Sequence, residues 1–104
     1  MYPPLRVNQK QVAAAVKRAE KALKPDVVRI RYSFDSDWVG DDSIFFRVVL
    51  SDGSARKKDL GGMVRRVIDT IDKKVNTDEM GLHRYFNFRS LSETKEVKDP
   101  DWEA

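Results

Sequence analysis

Residues 35–42 read Asp-Ser-Asp-Trp-Val-Gly-Asp-Asp, four carboxylates gathered around one tryptophan and one glycine. Clustered carboxylate oxygens are the hard ligands that a divalent cation takes, so chemistry is sought here first. Other reactive side chains are few. Cysteine is absent, which removes thiol nucleophiles, thiolate metal sites and disulfides, and fits a reducing compartment. His83 is the single histidine. Zinc would therefore lack a histidine pair, and a catalytic triad would have to be built on this one residue. It stands in Gly-Leu-His-Arg-Tyr-Phe, just ahead of a β-type run, and reads as a strand-entry residue. No serine lies in a G-x-S-x-G elbow.

Set against a calcium loop, Asp35, Asp37 and Gly40 fall at ligand positions 1 and 3 and at the glycine of position 6. Position 5 is Val39 and position 12 is Phe46, where ligands are required, and the flanks have the alternation of strands. Aspartate caps its own backbone and glycine accepts positive φ, so the stretch reads as a hairpin connection with no metal site. Gly53 to Arg56 resembles the start of the minimal nucleotidyltransferase signature. The paired acids at D-x-D spacing that would hold its Mg²⁺ do not follow, so these residues read as a turn. Leu-Gly-Gly-Met at 60–63 lacks the lysine of a P-loop and the glycine spacing of a dinucleotide fingerprint. Its backbone N–H groups offer only the generic anion affinity of a helix start. No cofactor is expected.

The elements that must position these residues follow from hydrophobic period. Asn8 and Gln11 make an N-x-x-Q capping box, Val7 and Val12 the matching staple, and Val12, Val16, Ala19 and Leu23 one apolar stripe. A helix over 9–24 is expected, stopped by Pro25. Val28, Ile30, Tyr32 and Phe34 alternate with Arg29, Arg31 and Ser33; Ile44, Phe46, Val48 and Leu50 alternate with Phe45, Arg47 and Val49. Two strands joined by the aspartate loop make an antiparallel hairpin the simplest topology. A second helix is expected over 60–75 on Val64, Val67, Ile68, Ile71 and Val75, and a third strand over 84–89. If the second and third strands are parallel, the helix between them is a crossover. The fold class is α+β in α-β-β-α-β order: a three-stranded, mainly antiparallel sheet with two helices on one face.

The 104 residues match one compact domain. Residues 1–91 carry a net +6, and residues 92–104 a net −3 with five acids and two lysines. That division predicts a compact body over 1–91 and a charged, flexible acidic tail over 92–104, with Trp102 as an apolar anchor if the tail screens a basic surface. No apolar run approaches the ~18 residues of a membrane span, and the first 23 residues contain no signal-type apolar region. A cytoplasmic protein with no membrane contact is expected.

With the helices on the face of Val28, Ile30, Phe46, Val48, Phe86 and Phe88, the opposite face shows Arg29, Arg31, Phe45, Arg47, Tyr85, Asn87 and Arg89. Arginine and aromatics are the common anchors of protein interfaces, and Trp38 in the hairpin loop adds another. The expected function is accordingly non-catalytic: binding of a protein partner, or of a second copy, through Arg29, Arg31, Phe45, Arg47, Tyr85, Arg89 and Trp38. The runner-up is nucleic-acid binding on the same basic face, since bases stack on rings and phosphates meet guanidinium groups. No RRM, helix-turn-helix or KH signature accompanies it. A metal-dependent enzyme using the loop from Asp35 to Asp42 stands well behind both.

Overall fold

The computed structural model describes residues 7–97 and 99–103. Residues 1–6, 98 and 104, which the sequence assigns to the start of the body and to the acidic tail, lie outside the described residues. The order is α1 (Gln9–Ala22), β1 (Val27–Ser36), β2 (Asp42–Leu50), α2 (Asp52–Ala55), α3 (Leu60–Lys74), β3 (His83–Ser90), α4 (Leu91–Glu96) and α5 (Pro100–Glu103). The class is α+β with the expected α-β-β-α-β framework. The sheet runs β1-β2-β3, antiparallel between β1 and β2 and parallel between β2 and β3, so α3 is the crossover. No helix among the described residues is long and apolar enough to cross a membrane.

Local signals set the helix limits. The Asn8 carboxamide accepts from the Gln11 N–H at 3.1 Å, and Val7 and Val12 are both buried. The α1 backbone ends at Ala22, ahead of Lys24 and Pro25, because the residue before proline is pushed out of the helical region. At α3 the Asp59 carboxylate accepts from Gly62 N–H at 3.1 Å. The helix start expected to offer N–H groups to an outside anion thus already has an anion of its own.

Helices α1 and α3 lie against one face of the sheet and against each other. Val12, Ala15, Val16, Ala19 and Leu23 meet Met63, Val67, Ile71 and Val75 above Ile30, Ile44, Phe46 and Val48. Phe46, in the central strand, has no exposed surface; its ring stacks on Phe86 at 5.2 Å and touches Tyr32 at 6.5 Å. The sequence puts Val28 on this face, and the structure does not. A register shift between Val27 and Arg29 lets Val27 face Leu50 in the core and leaves Val28 37% exposed. One extra residue in a bulge moves the preceding side chain to the other side, and simple alternation cannot foresee it.

Three short helices were not expected. Ser51 caps α2, and Ser54 is buried with its hydroxyl donating to Asp26, which also receives Lys57 and Arg66. The Gly-Ser turn therefore ties the start of β1 to α2 and α3. The Ser54 bond, with the nearby cations, holds the Asp26 carboxyl below the usual carboxylate range. At the other end Ser90 and Glu93 form a reciprocal capping box that opens α4. Asp52 accepts from both the backbone and the hydroxyl of Ser92, bonds that pull its carboxyl downward too. The stretch expected as a tail, 92–104, takes part in two helices, Leu91–Glu96 and Pro100–Glu103, and Trp102 is 6% exposed against the sheet.

Candidate functional site

The aspartate loop is organised around one carboxylate. Asp37 is 8% exposed between exposed neighbours. Its Oδ1 accepts from Val39 N–H at 3.1 Å and Asp41 N–H at 2.9 Å, while Oδ2 accepts from the Ser43 hydroxyl at 3.3 Å and the Tyr85 phenol at 2.8 Å. Asp37 N–H donates to Asp41 O, Gly40 N–H donates to Asp37 O, and Gly40 adopts φ +88°, where a side chain would be strained. Burial opposes the charged form, but these bonds outweigh it and hold the Asp37 carboxyl below the usual carboxylate range. By the same contact, donation to Asp37 pushes the Tyr85 phenol upward.

The loop's other polar groups do not converge on a comparable centre. Asp37, Asp41 and His83 have oxygen or nitrogen atoms within 4.8 Å of one another, and His83 Nε2 lies 3.5 Å from Asp41 Oδ2. Both Asp37 oxygens, however, are already committed to donors, two of them backbone N–H groups of the turn itself. Asp41 and His83 are more than half exposed, and Asp35 accepts from its neighbour Ser36 N–H at 2.7 Å. The arrangement is what a tight hairpin connection needs, as the sequence suggests.

Above this brace the sheet carries a strip of rings. Tyr85 pairs with Phe45 across the parallel β2-β3 register and stacks on it at 5.1 Å with a 20° interplanar angle. Trp38 adds a third ring, 5.1 Å from Tyr85 and tilted by 53°. It is 80% exposed. One step along, Arg31, Arg47 and Asn87 form the next cross-strand row, with Arg47 Nη1 donating to Ser33 Oγ at 2.9 Å. The following row is Arg29, Val49 and Arg89. The face is therefore graded: Asp35, Asp41 and His83 at the loop end, rings in the middle, arginines at the far end.

All seven residues singled out in the sequence stand on or beside this face, in two groups. Trp38, Phe45, Tyr85, Arg31 and Arg47 stand at its loop end and middle, Trp38 exposed and the other four half-buried. Arg29 and Arg89 lie beneath the segment after Val97: Arg29 Nη2 donates to Trp102 O at 3.0 Å, and the Arg89 guanidinium sits 4.5 Å from the centre of the Trp102 ring. Asp99 adds an ion pair to Arg89 at 3.9 Å. Val49 is 1% exposed, although it points away from the main core. Arg29 Nε and Arg89 Nη1 are sealed from solvent and have no hydrogen-bond partner among the described residues. Between the two groups runs a groove of about 290 Å³, lined by Ser33, Asp35, Phe45, Arg47, Asn87 and Trp102.

Sequence reasoning missed the part played by Asp37. The local half was legible, since Asp-x-x-Gly is a turn signal. The Tyr85 half was not, because the two residues are 48 positions apart. Trp102, which the sequence offers as an anchor only if the tail screens a basic surface, lies against Arg29 and Arg89. Against protein-family models, curated proteins and solved structures alike, the chain shows no match, and its site is read from its own geometry.

Proposed function

We propose that this protein is a non-catalytic interaction module that binds a protein partner, or a second copy of itself, through the half-exposed sheet face and the Trp38 loop. The observation that carries the reading is Trp38: a large ring, 80% exposed, yet held against Tyr85, whose phenol is fixed by the buried Asp37 carboxylate. An aromatic ordered before binding gives up little conformational freedom when a partner covers it. Phe45 extends the apolar strip, and Arg31 and Arg47 supply the charged border typical of an anchor cluster. A cytoplasmic location belongs to the same reading and is supported by the absence of cysteine.

Nucleic-acid binding is the second reading, favoured by the stacked ladder of Phe45, Tyr85 and Trp38 beside arginines. One set of variants separates the two. Purified wild type, Trp38→Ala and Arg31→Glu are compared by sedimentation velocity over a concentration series. The same three are used in affinity capture, and any captured protein is then reconstituted from pure components. Labelled single-stranded RNA and DNA are titrated in parallel by anisotropy. Protein association weakened by both variants supports the proposal. Association indifferent to both overturns it. Salt-sensitive nucleic-acid binding lost on Arg31→Glu, without protein association, transfers the face to the second reading.

A further inference from the structure

Resting on that reading, we infer that the partner presents an acidic segment bearing an aromatic side chain, and that residues 99–103 of this chain are its stand-in, occupying the arginine end of the face. The sequence there is Asp-Pro-Asp-Trp-Glu, with three carboxyl groups around one indole. Its ring is 6% exposed, more deeply covered than any other large aromatic on this side of the sheet. It lies over a seat with three recognising groups: the Arg89 guanidinium on the ring face, the Arg29 fork on the Trp102 carbonyl, and the buried Val49 between them.

The seat fits this chemistry for reasons independent of who occupies it. Guanidinium groups attract the ring quadrupole and carboxylates together, so an acidic aromatic segment satisfies both needs at once. A basic segment would meet Arg29 and Arg89 with like charge. The acidic groups that also border the face, Asp35 and Asp41, stand at the opposite, loop end. An incoming acidic segment is thus oriented with its carboxylates and aromatic ring at the arginine end, and apolar residues beyond them reach toward Phe45.

The in-cis occupant is a short segment that follows α4. Its Asp99 carboxylate lies 3.9 Å from the Arg89 guanidinium. Tethering keeps it at an effective concentration in the millimolar range, enough to fill the seat while leaving it displaceable. Sealing Arg29 Nε and Arg89 Nη1 with no partner among the described residues weakens the closed arrangement, because buried donors without acceptors oppose docking. A partner segment that supplies those acceptors would replace it.

The test uses the full chain, ¹⁵N-labelled, with an unlabelled peptide of residues 97–104, Val-Lys-Asp-Pro-Asp-Trp-Glu-Ala. Amide and guanidinium Nε–H signals are followed in wild type, in Trp102→Ala and in Trp102→Ala with Arg89→Ala; the spectra themselves report that each variant is folded. In Trp102→Ala the peptide is expected to move Val49, Arg29 and Arg89 saturably, with an affinity about tenfold or more above that for wild type, where the tethered segment competes. Removing Arg89, or replacing the three acids of the peptide by amides, should lower that affinity about tenfold. Equal affinity for wild type and Trp102→Ala, or no movement of those signals in either, overturns the inference. If the peptide fails while Trp38-dependent protein association persists, only the partner's chemistry is wrong. If both fail, the face is not an interface.

Discussion

Replacing Trp38 by alanine should separate binding from folding. The ring is 80% exposed. A tryptophan presents up to ~250 Å² of surface, so about one-fifth of it, on the order of 50 Å², is removed from water in the free chain. At ~25 cal/mol per Å² that is about 1 kcal/mol at most, including the single ring contact with Tyr85. Global stability in urea should therefore fall by no more than about 1 kcal/mol. A central interface aromatic, by contrast, is worth about 2 kcal/mol or more to a complex, roughly a thirtyfold rise in Kd. The assay is a pair of measurements on one preparation: the urea midpoint of the free protein and calorimetric titration with the reconstituted partner. Phe46→Ala is the opposite control. Its ring has no exposed surface and stacks on Phe86, so its loss should cost about 3–5 kcal/mol. A Trp38→Ala variant that is destabilised like Phe46→Ala, or that binds its partner as wild type does, refutes the separation.

Acid should destabilise the fold through Asp26, Asp37 and Asp52, whose carboxyls are all held below their ordinary value. Their contribution is fully present above the unfolded carboxylate pKa of about 4 and is lost as pH falls through the lower folded values; a urea midpoint no lower at pH 3 than at pH 6 would contradict this. Asp37→Asn should keep the fold but loosen the hairpin, read as faster amide exchange at Val39 and Asp41, whose N–H groups donate to its carboxylate; unchanged exchange at both would show that the carboxylate does not brace the turn. Ser90→Ala removes one side of the α4 capping box and should cost about 0.5–2 kcal/mol. Amide exchange at Glu93, which donates to the Ser90 hydroxyl, is the local readout, and protection as in wild type would remove that role.

How far the sequence speaks depends on whether a signal is local. The α1 cap at Asn8, the apolar stripes of α1 and α3 and the alternation of β2 are carried by residues within a few positions of one another, and they appear where expected. The Ser90-x-x-Glu93 cap is as local, but it lay within a stretch dominated by charge, and composition concealed it. Val28 shows the reverse failure: its alternation with Ile30 is correct as a pattern and wrong as a register, because the bulge is set by how Val27 meets Leu50 across the hairpin. The site divides the same way. That the arginines and aromatics share a face follows from period two. That Trp102 meets Arg29, and that Tyr85 holds Asp37, depends on contacts 73 and 48 positions apart, which no window of sequence contains.

Those two long-range contacts give the face its working geometry. One tryptophan is presented outward at the loop end, and the other is drawn inward at the arginine end. Four residue steps of strand separate the Phe45 row from the Val49 row, about 13 Å. An extended segment of four or five residues spans that distance, placing an apolar side chain on Trp38 and Phe45 and a carboxylate on the Arg29 and Arg89 pair. The 290 Å³ groove along Phe45, Arg47 and Asn87 lies on that path and is closed at one end by Trp102. Displacing the Trp102 ring therefore lengthens the available track and frees two guanidinium groups in the same step. A ligand touching only the loop end would gain nothing from that displacement; one long enough to reach Arg89 would gain both surface and charge. Binding that strengthens with segment length and in Trp102→Ala is the pattern this geometry requires.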